Sequence, residues 1–246
     1  MESFLYLLLE TLLIAIMIVS MHFSIKKFGI GPLFIFLGAI QFFQTILSAS
    51  VYNLYFDLFI FSPGSSILYT SSLFSILLVF HTESIKKTRS LIYGLIFSNI
   101  AITILSYITL QQIFIDQYSL YKDNLERIYN FDITVFLIGT SLLYIDSILL
   151  IIIYEFLNYK FVKKMLFFKL FISTSIISLF DSCIFYTLSF SMEEQFTTLM
   201  LGNIIGKQIS VIIFSIIFYF YLRIMGKPFR VIIPKYKKDI IKIFSF

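Results

Sequence analysis

Three charged side chains stand inside apolar runs of this chain, and they set the chemistry to look for. Asp181 lies within FISTSIISLFDSCIFYTLSF (171–190), Asp146 near the middle of a run over about 132–155, and Lys207 within a run over about 196–224. An acid at the centre of a bilayer-spanning helix costs roughly 2.5–3.5 kcal/mol on insertion scales, so it should face protein or water and have a partner. A carboxylate held there can bind N–H donors, meet a cation, or carry a proton for exchange. Glu10 is also embedded, but shallow enough to reach headgroup water. Lys169 and Glu155 lie near the opposite ends of their runs, where long side chains are expected to snorkel.

Spacing extends the set. At 1.5 Å per residue, Asp181 is about 13 Å below the outer end of its helix and Lys207 about 16 Å below the outer end of the next. The depths agree within the reach of a lysine, which predicts a buried pair or one shared polar cavity. Thr174, Ser178, Asp181 and Ser182 share one helical face. Asn203, Lys207 and Ser210 share another, beside the small-xxx-small pair Gly202 and Gly206. Gln41, Gln44 and Ser48 line up in the second run, Tyr69, Ser72 and Ser75 in the third, and Asn99, Thr103 and Ser106 in the fourth. Serine and threonine in spans commonly satisfy local backbone. The amides Gln41, Gln44, Asn99 and Asn203 offer a donor and an acceptor each, the pair needed to read a heterocycle edge. The candidate binding residues are therefore Asp181, Asp146, Lys207, Asn203, Asn99, Gln41, Gln44 and Ser178.

No HExxH, CxxC, Walker A or GxSxG pattern occurs, so hydrolytic, redox and nucleotide-cleaving apparatus is not visible. The reading is a non-enzyme with no metal and no cofactor. The lone Cys183 cannot form an intrachain disulfide.

The elements that must position these residues are transmembrane helices. Of 246 residues 59% are hydrophobic and 13% charged, more apolar surface than a soluble domain of this size can bury. Run length gives an all-α bundle of about seven spans: 4–23, 31–50, 65–82, 91–112, 132–155, 165–190 and 196–224. The first run lacks the basic start and cleavage site of a signal peptide and reads as a retained span. Lys26 and Lys27, Lys86 to Arg89, Lys160 to Lys164, and the residues after 222 gather most of the 19 basic side chains on alternate connections. The positive-inside rule then places the N-terminus outside and the C-terminus in the cytoplasm. The connection VYNLYFDLFIFSPGSS is apolar and aromatic and is expected at the interface, as a re-entrant segment or as a lid, with Pro63-Gly64 as its breaker. Residues 1–225 form the bundle. Residues 226–246 form a basic juxtamembrane tail drawn to anionic lipid, with no nucleic-acid role. No soluble domain flanks the spans, so a signalling or energising partner is expected to be a separate chain; homo-oligomerisation is left open.

Two segments repeat a theme: Tyr144-Ile145-Asp146-Ser147-Ile148 and Leu179-Phe180-Asp181-Ser182-Cys183. With LLVFHTESIKKTRSLIYGLIFSN (77–99), STSIISLFDSCIFYTLSF (173–190) and Lys227-Pro228-Phe229, the chain resembles the vitamin-uptake-like transporters, the queuosine precursor transporter family. Glu83 before Lys86, Lys87 and Arg89 is similar to that family's acid followed by a basic loop, while Val79 stands where the family carries a further acid. The resemblance implies Glu83, Asp146 and Asp181 as acidic site residues. It also implies import of a deazapurine such as 7-cyano-7-deazaguanine, or its aminomethyl relative, across the bacterial inner membrane. The leading expectation is a secondary transporter for a small planar heterocycle. The alternatives are a substrate-binding subunit of a larger uptake system and a non-transporting membrane sensor or interaction protein.

Overall fold

Apolar runs too long for a soluble core become helices, because lipid offers no partner for an open backbone N–H or C=O. A computed structural model describes residues 2–56, 58–115, 122–130, 132–160 and 166–226. The helices are α1 (Glu2–Phe23), α2 (Ile25–Phe28), α3 (Gly31–Ser50), α4 (Tyr69–Thr82), α5 (Ile85–Ile115), α6 (Lys122–Tyr129), α7 (Ile133–Lys160), α8 (Leu166–Phe190) and α9 (Phe196–Met225). Among the described residues, seven helical stretches are long and apolar enough to cross a membrane, as expected. The fourth and fifth outrun the sequence-based limits, the fourth chiefly at its polar start from Ile85 and the fifth at its end to Lys160. The tail lies outside the described residues.

The third span holds the centre. Over Gly64–Thr82, 89% of the most apolar window is buried, against 22–44% for the other six spans. Its small polar residues allow this. Thr70 and Ser75 each return their hydroxyl to a carbonyl four residues earlier, and Ser71 to one three residues earlier, so they occupy little volume and leave no open donor.

The connection before that span is neither plain loop nor helix. Strands β1 (Asn53–Tyr55) and β2 (Phe59–Phe61) pair antiparallel, Asn53 opposite Phe61 and Tyr55 opposite Phe59. Tyr55 and Phe61 stack at 3.9 Å and 6°, both buried. Phe56 turns the hairpin at φ 53° and packs on Phe4 of α1 at 4.9 Å. A π-helical turn, Gly64–Leu68, then leads into α4.

Three glycines let the hairpin and this turn approach α3 and α9. A Cβ on Gly202 would meet the backbone carbonyl of Ile60. One on Gly206 would lie 2.6 Å from the Phe61 ring, and one on Gly64 would lie 2.5 Å from the Ser48 amide nitrogen. The predicted small-residue pair in α9 is thus the seat of the hairpin, not a helix–helix crossing.

Candidate functional site

The hydrogen bonds of α8 and α9 fix the charged wall of a cavity. Asp181 on α8 and Lys207 on α9 are 4% and 2% exposed. Lys207 Nζ donates to Asp181 Oδ2, forming the ion pair that the matching depths predict. One turn closer to the hairpin, Ser182 donates to Asn203 Oδ1 at 2.8 Å, and Asn203 Nδ2 donates to Ser65 Oγ at 2.6 Å. Two turns in the other direction, Ser175 donates to Gln208 Oε1 at 2.6 Å, and Gln208 Nε2 donates back to the Ser175 carbonyl at 3.2 Å. These bonds lock the two helices face to face on either side of the ion pair.

Tyr69, the first residue of α4, joins this wall to the second acid. Lys207 Nζ sits 4.5 Å above its ring centroid. Its hydroxyl donates to Asp146 Oδ2. Asp146 is fully buried behind it. Its other oxygen, Oδ1, meets no donor among the described residues.

The cavity measures about 600 Å³, a volume suited to a small organic ligand. Asp181, Lys207, Tyr69 and Asn203 form one wall. Gln44 on α3, Asn99 on α5 and Thr140 on α7 also line the cavity. Gln44 Oε1, Asn99 Oδ1 and Thr140 Oγ1 are buried atoms with no hydrogen-bond partner among the described residues. Phe136, Phe185, Tyr186 and Phe190 supply aromatic sides, and Tyr52, Ile60 and Ser65 of the hairpin region complete the rim. Arg127, Asp132 and Glu193 stand at the end where α6 and the α8–α9 turn lie, so the cavity opens on the hairpin end of the bundle.

At the other end the bundle is shut. Phe74, Phe214 and Phe218 stack on one another at centroid distances of 5.4, 5.4 and 6.0 Å, each no more than 1% exposed. Phe74 is five residues below Tyr69 on α4, and Phe214 seven below Lys207 on α9, about 8 and 11 Å along the helix axes. Beyond this plug lies a separate polar layer. His22 bridges Tyr221 at 2.6 Å and Thr82 at 2.7 Å, and Tyr154 meets His81 at 2.7 Å.

The structure therefore gathers Asp181, Lys207, Asn203, Asn99 and Gln44 around one cavity and leaves four sequence candidates elsewhere. Asp146 does not border it, because Tyr69 stands between. Gln41 turns to α4, where its Nε2 donates to Ser72 at 2.8 Å. Ser178 is buried one turn below Asp181, with its hydroxyl unpartnered and off the cavity. Glu83 follows the last residue of α4 at the shut end and pairs with Lys87 at 2.7 Å, four residues on, so it is far from the other acids. Glu155 and Lys169, expected to snorkel, are instead 2% and 5% exposed, and Asn158 Nδ2 approaches Glu155 Oε1 at 3.4 Å. Thr140 and Gln208 were missed. Thr140 follows a glycine in an otherwise apolar run, and Gln208 is adjacent to Lys207 but a step around the helix, so neither carries a distinctive spacing.

The vitamin uptake-like sensor family profile matches residues 14–222, and the chain belongs to that family. The kinship anticipated from the paired Asp motifs is met at this level. The family is of uptake and sensor type rather than enzymatic, which fits a multi-pass helical membrane protein. No curated protein and no solved structure matches the chain.

Proposed function

We propose that this member of the vitamin uptake-like sensor family captures a small planar heterocycle bearing several N–H donors, of the 7-deazapurine kind, from the outer side of the bacterial inner membrane, and acts as its sensor. The observation that carries the reading is one cavity of about 600 Å³ lined both by the Asp181–Lys207 pair and by the amides Gln44, Asn99 and Asn203, where Asn99 Oδ1 and Gln44 Oε1 accept no hydrogen bond among the described residues. A buried acceptor without a donor is costly, and a ring edge rich in N–H groups would supply the donors. Aromatic sides suit the faces of such a ring.

Two features favour sensing over carriage. The cavity is open at the hairpin end and closed by the phenylalanine plug at the other. The clasps between α8 and α9 hold its charged wall rigid. Under the positive-inside rule the open end, which is poor in Lys and Arg, faces outward. Import of the same ligand is the second reading, favoured by the buried ion pair, a contact that can break and re-form as helices rock about a midplane site.

The test is a thermal-shift and equilibrium-binding panel on detergent-purified protein with 7-cyano-7-deazaguanine, its aminomethyl relative, guanine and non-heterocyclic controls. Saturable binding of a deazapurine, lost in Asn99→Leu, supports the reading; no binding by any heterocycle contradicts it. Uptake of the labelled ligand into sealed vesicles separates the two versions, since a sensor binds without accumulation.

A further inference from the structure

Inside the mouth, the one acid and the one base that line the cavity among the described residues already hold each other. Lys207 Nζ donates to Asp181 Oδ2, and Asp146 lies off the cavity behind Tyr69. Arg127, Asp132 and Glu193 at the mouth are exposed, where water screens them. The interior thus offers a ligand no net charge. An anion that took Lys207 would strand Asp181, and a cation that took Asp181 would strand Lys207. Either leaves a buried charge uncompensated, which is strongly unfavourable.

A closed pair can still be read by a ligand. The bond between the two residues uses one carboxylate oxygen and one ammonium N–H. Asp181 Oδ1 accepts no hydrogen bond among the described residues, and unlike Asp146 Oδ1 it is not sealed off: the Asp181 side chain is 6% exposed and borders the cavity. Lys207 has two further N–H groups, and the Tyr69 ring, 4.5 Å from Nζ, attracts the ammonium without supplying a lone pair. An acceptor and a donor, both charged, therefore stand side by side on one wall. Their neighbour Asn203 is committed elsewhere, its carbonyl to Ser182 and its amide to Ser65. Those bonds and the Ser175–Gln208 clasp hold α8 against α9, so the spacing of acceptor and donor is set before a ligand arrives.

We infer that the Asp181–Lys207 pair reads an uncharged H–N–C=O edge, a lactam or amide, with its N–H donating to Asp181 Oδ1 and its carbonyl accepting from Lys207. Such an edge gains two charge-assisted hydrogen bonds without opening the pair or adding a charge. An edge with acceptors at both positions sets one of them against the carboxylate. This inference rests on the reading of the cavity as a heterocycle site and adds which edge of the ring meets the charged wall.

Matched probes test it on the detergent-purified protein. One pair is 7-cyano-7-deazaguanine against its 6-O-methyl derivative, which lacks the lactam N–H and carbonyl. The other is hypoxanthine against 6-methoxypurine. Binding is read by titration calorimetry at neutral pH. In each pair that binds, the lactam should bind at least about tenfold more tightly, since a site built to hydrogen-bond a group discriminates against the analogue without it. Asp181→Asn supplies a second readout. Its amide oxygen would take the Lys207 donor and its N–H groups would face the cavity, where the bare ring nitrogen of the O-methyl partner can accept and the lactam N–H cannot. The ratio should then fall or reverse. Exclusion of the methyl group by bulk, or a merely structural Asp181, would leave the ratio unchanged and overturn the inference. The wild-type ratios decide it without that variant. Equal or tighter binding of an O-methyl member overturns the lactam inference and leaves the heterocycle reading intact. Preference for hypoxanthine over 6-methoxypurine with neither deazapurine bound overturns the deazapurine reading and keeps the lactam inference. Failure of all four probes overturns both.

Discussion

Asp181 and Lys207 were legible as a pair because helical rise and span ends fix depth, and depth was enough to bring them together. The direction in which a side chain turns is not fixed that way. Gln41 and Gln44 lie on one stripe of α3, yet Gln41 is taken by Ser72 while Gln44 faces the cavity. Asp146 had the right depth as well, but the bulk of Tyr69 screens it from the lumen. Asp181→Ala leaves Lys207 buried and unpaired, so it should destabilise the protein by about 3–5 kcal/mol. Replacing both partners, Asp181→Leu with Lys207→Met, should recover most of that loss. Reversible unfolding in detergent over the full double-mutant cycle measures the coupling, and additive losses would contradict a working pair. Asn99→Leu is expected to behave in the opposite way. It removes an acceptor that has no partner, so stability should hold or rise while ligand affinity falls at least about tenfold, or roughly 1.4 kcal/mol. Lost stability with unchanged binding would mean that Asn99 serves packing alone.

At the scale of elements, the seven spans were readable because hydrophobic run length is a strong signal. The hairpin was not. Its strands are three residues each and, Asn53 aside, apolar on both faces, and the turn between Tyr55 and Phe59 has none of the Asn-Gly or Asp-Gly chemistry that marks tight hairpins. Its position is settled by tertiary contact with α1 and α9, which no local window contains. Gly202 and Gly206 carried the nearest hint, as a small-residue pair whose partner turned out to be a strand. Gly202→Ala drives a Cβ into the Ile60 backbone, which cannot rotate aside, so the hairpin must shift. We expect a loss of about 1–3 kcal/mol from such overpacking, together with weaker ligand binding at the rim. Gly139→Ala is the matched control: its Cβ would lie 3.5 Å from the Phe185 ring, an ordinary contact, and should be tolerated. Equal melting temperatures for the two variants would rule out the hairpin seat.

At the scale of the whole molecule, the protein is a ring of helices around a polar hollow, with a central helix whose far half seals it. The plug was hidden in the sequence because Phe74, Phe214 and Phe218 are three of 31 phenylalanines, most of which lack any distinguishing spacing. The charge pattern along the chain predicts that the open end faces outward and the shut end the cytoplasm. Reporter enzymes fused after residue 226 should be active only as cytoplasmic reporters; periplasmic activity would invert the topology and the direction of capture. The central claim, a wet chamber open at one end and dry at the other, is met most directly by cysteine accessibility. In a Cys183→Ser background, single cysteines at Asn99 and Phe214 are exposed to a membrane-impermeant thiol reagent in intact cells and in inverted vesicles. The account predicts rapid labelling at 99 in cells, slowed by bound ligand, and none at 214 from either side. Silence at 99, or equal labelling at both positions, would contradict it.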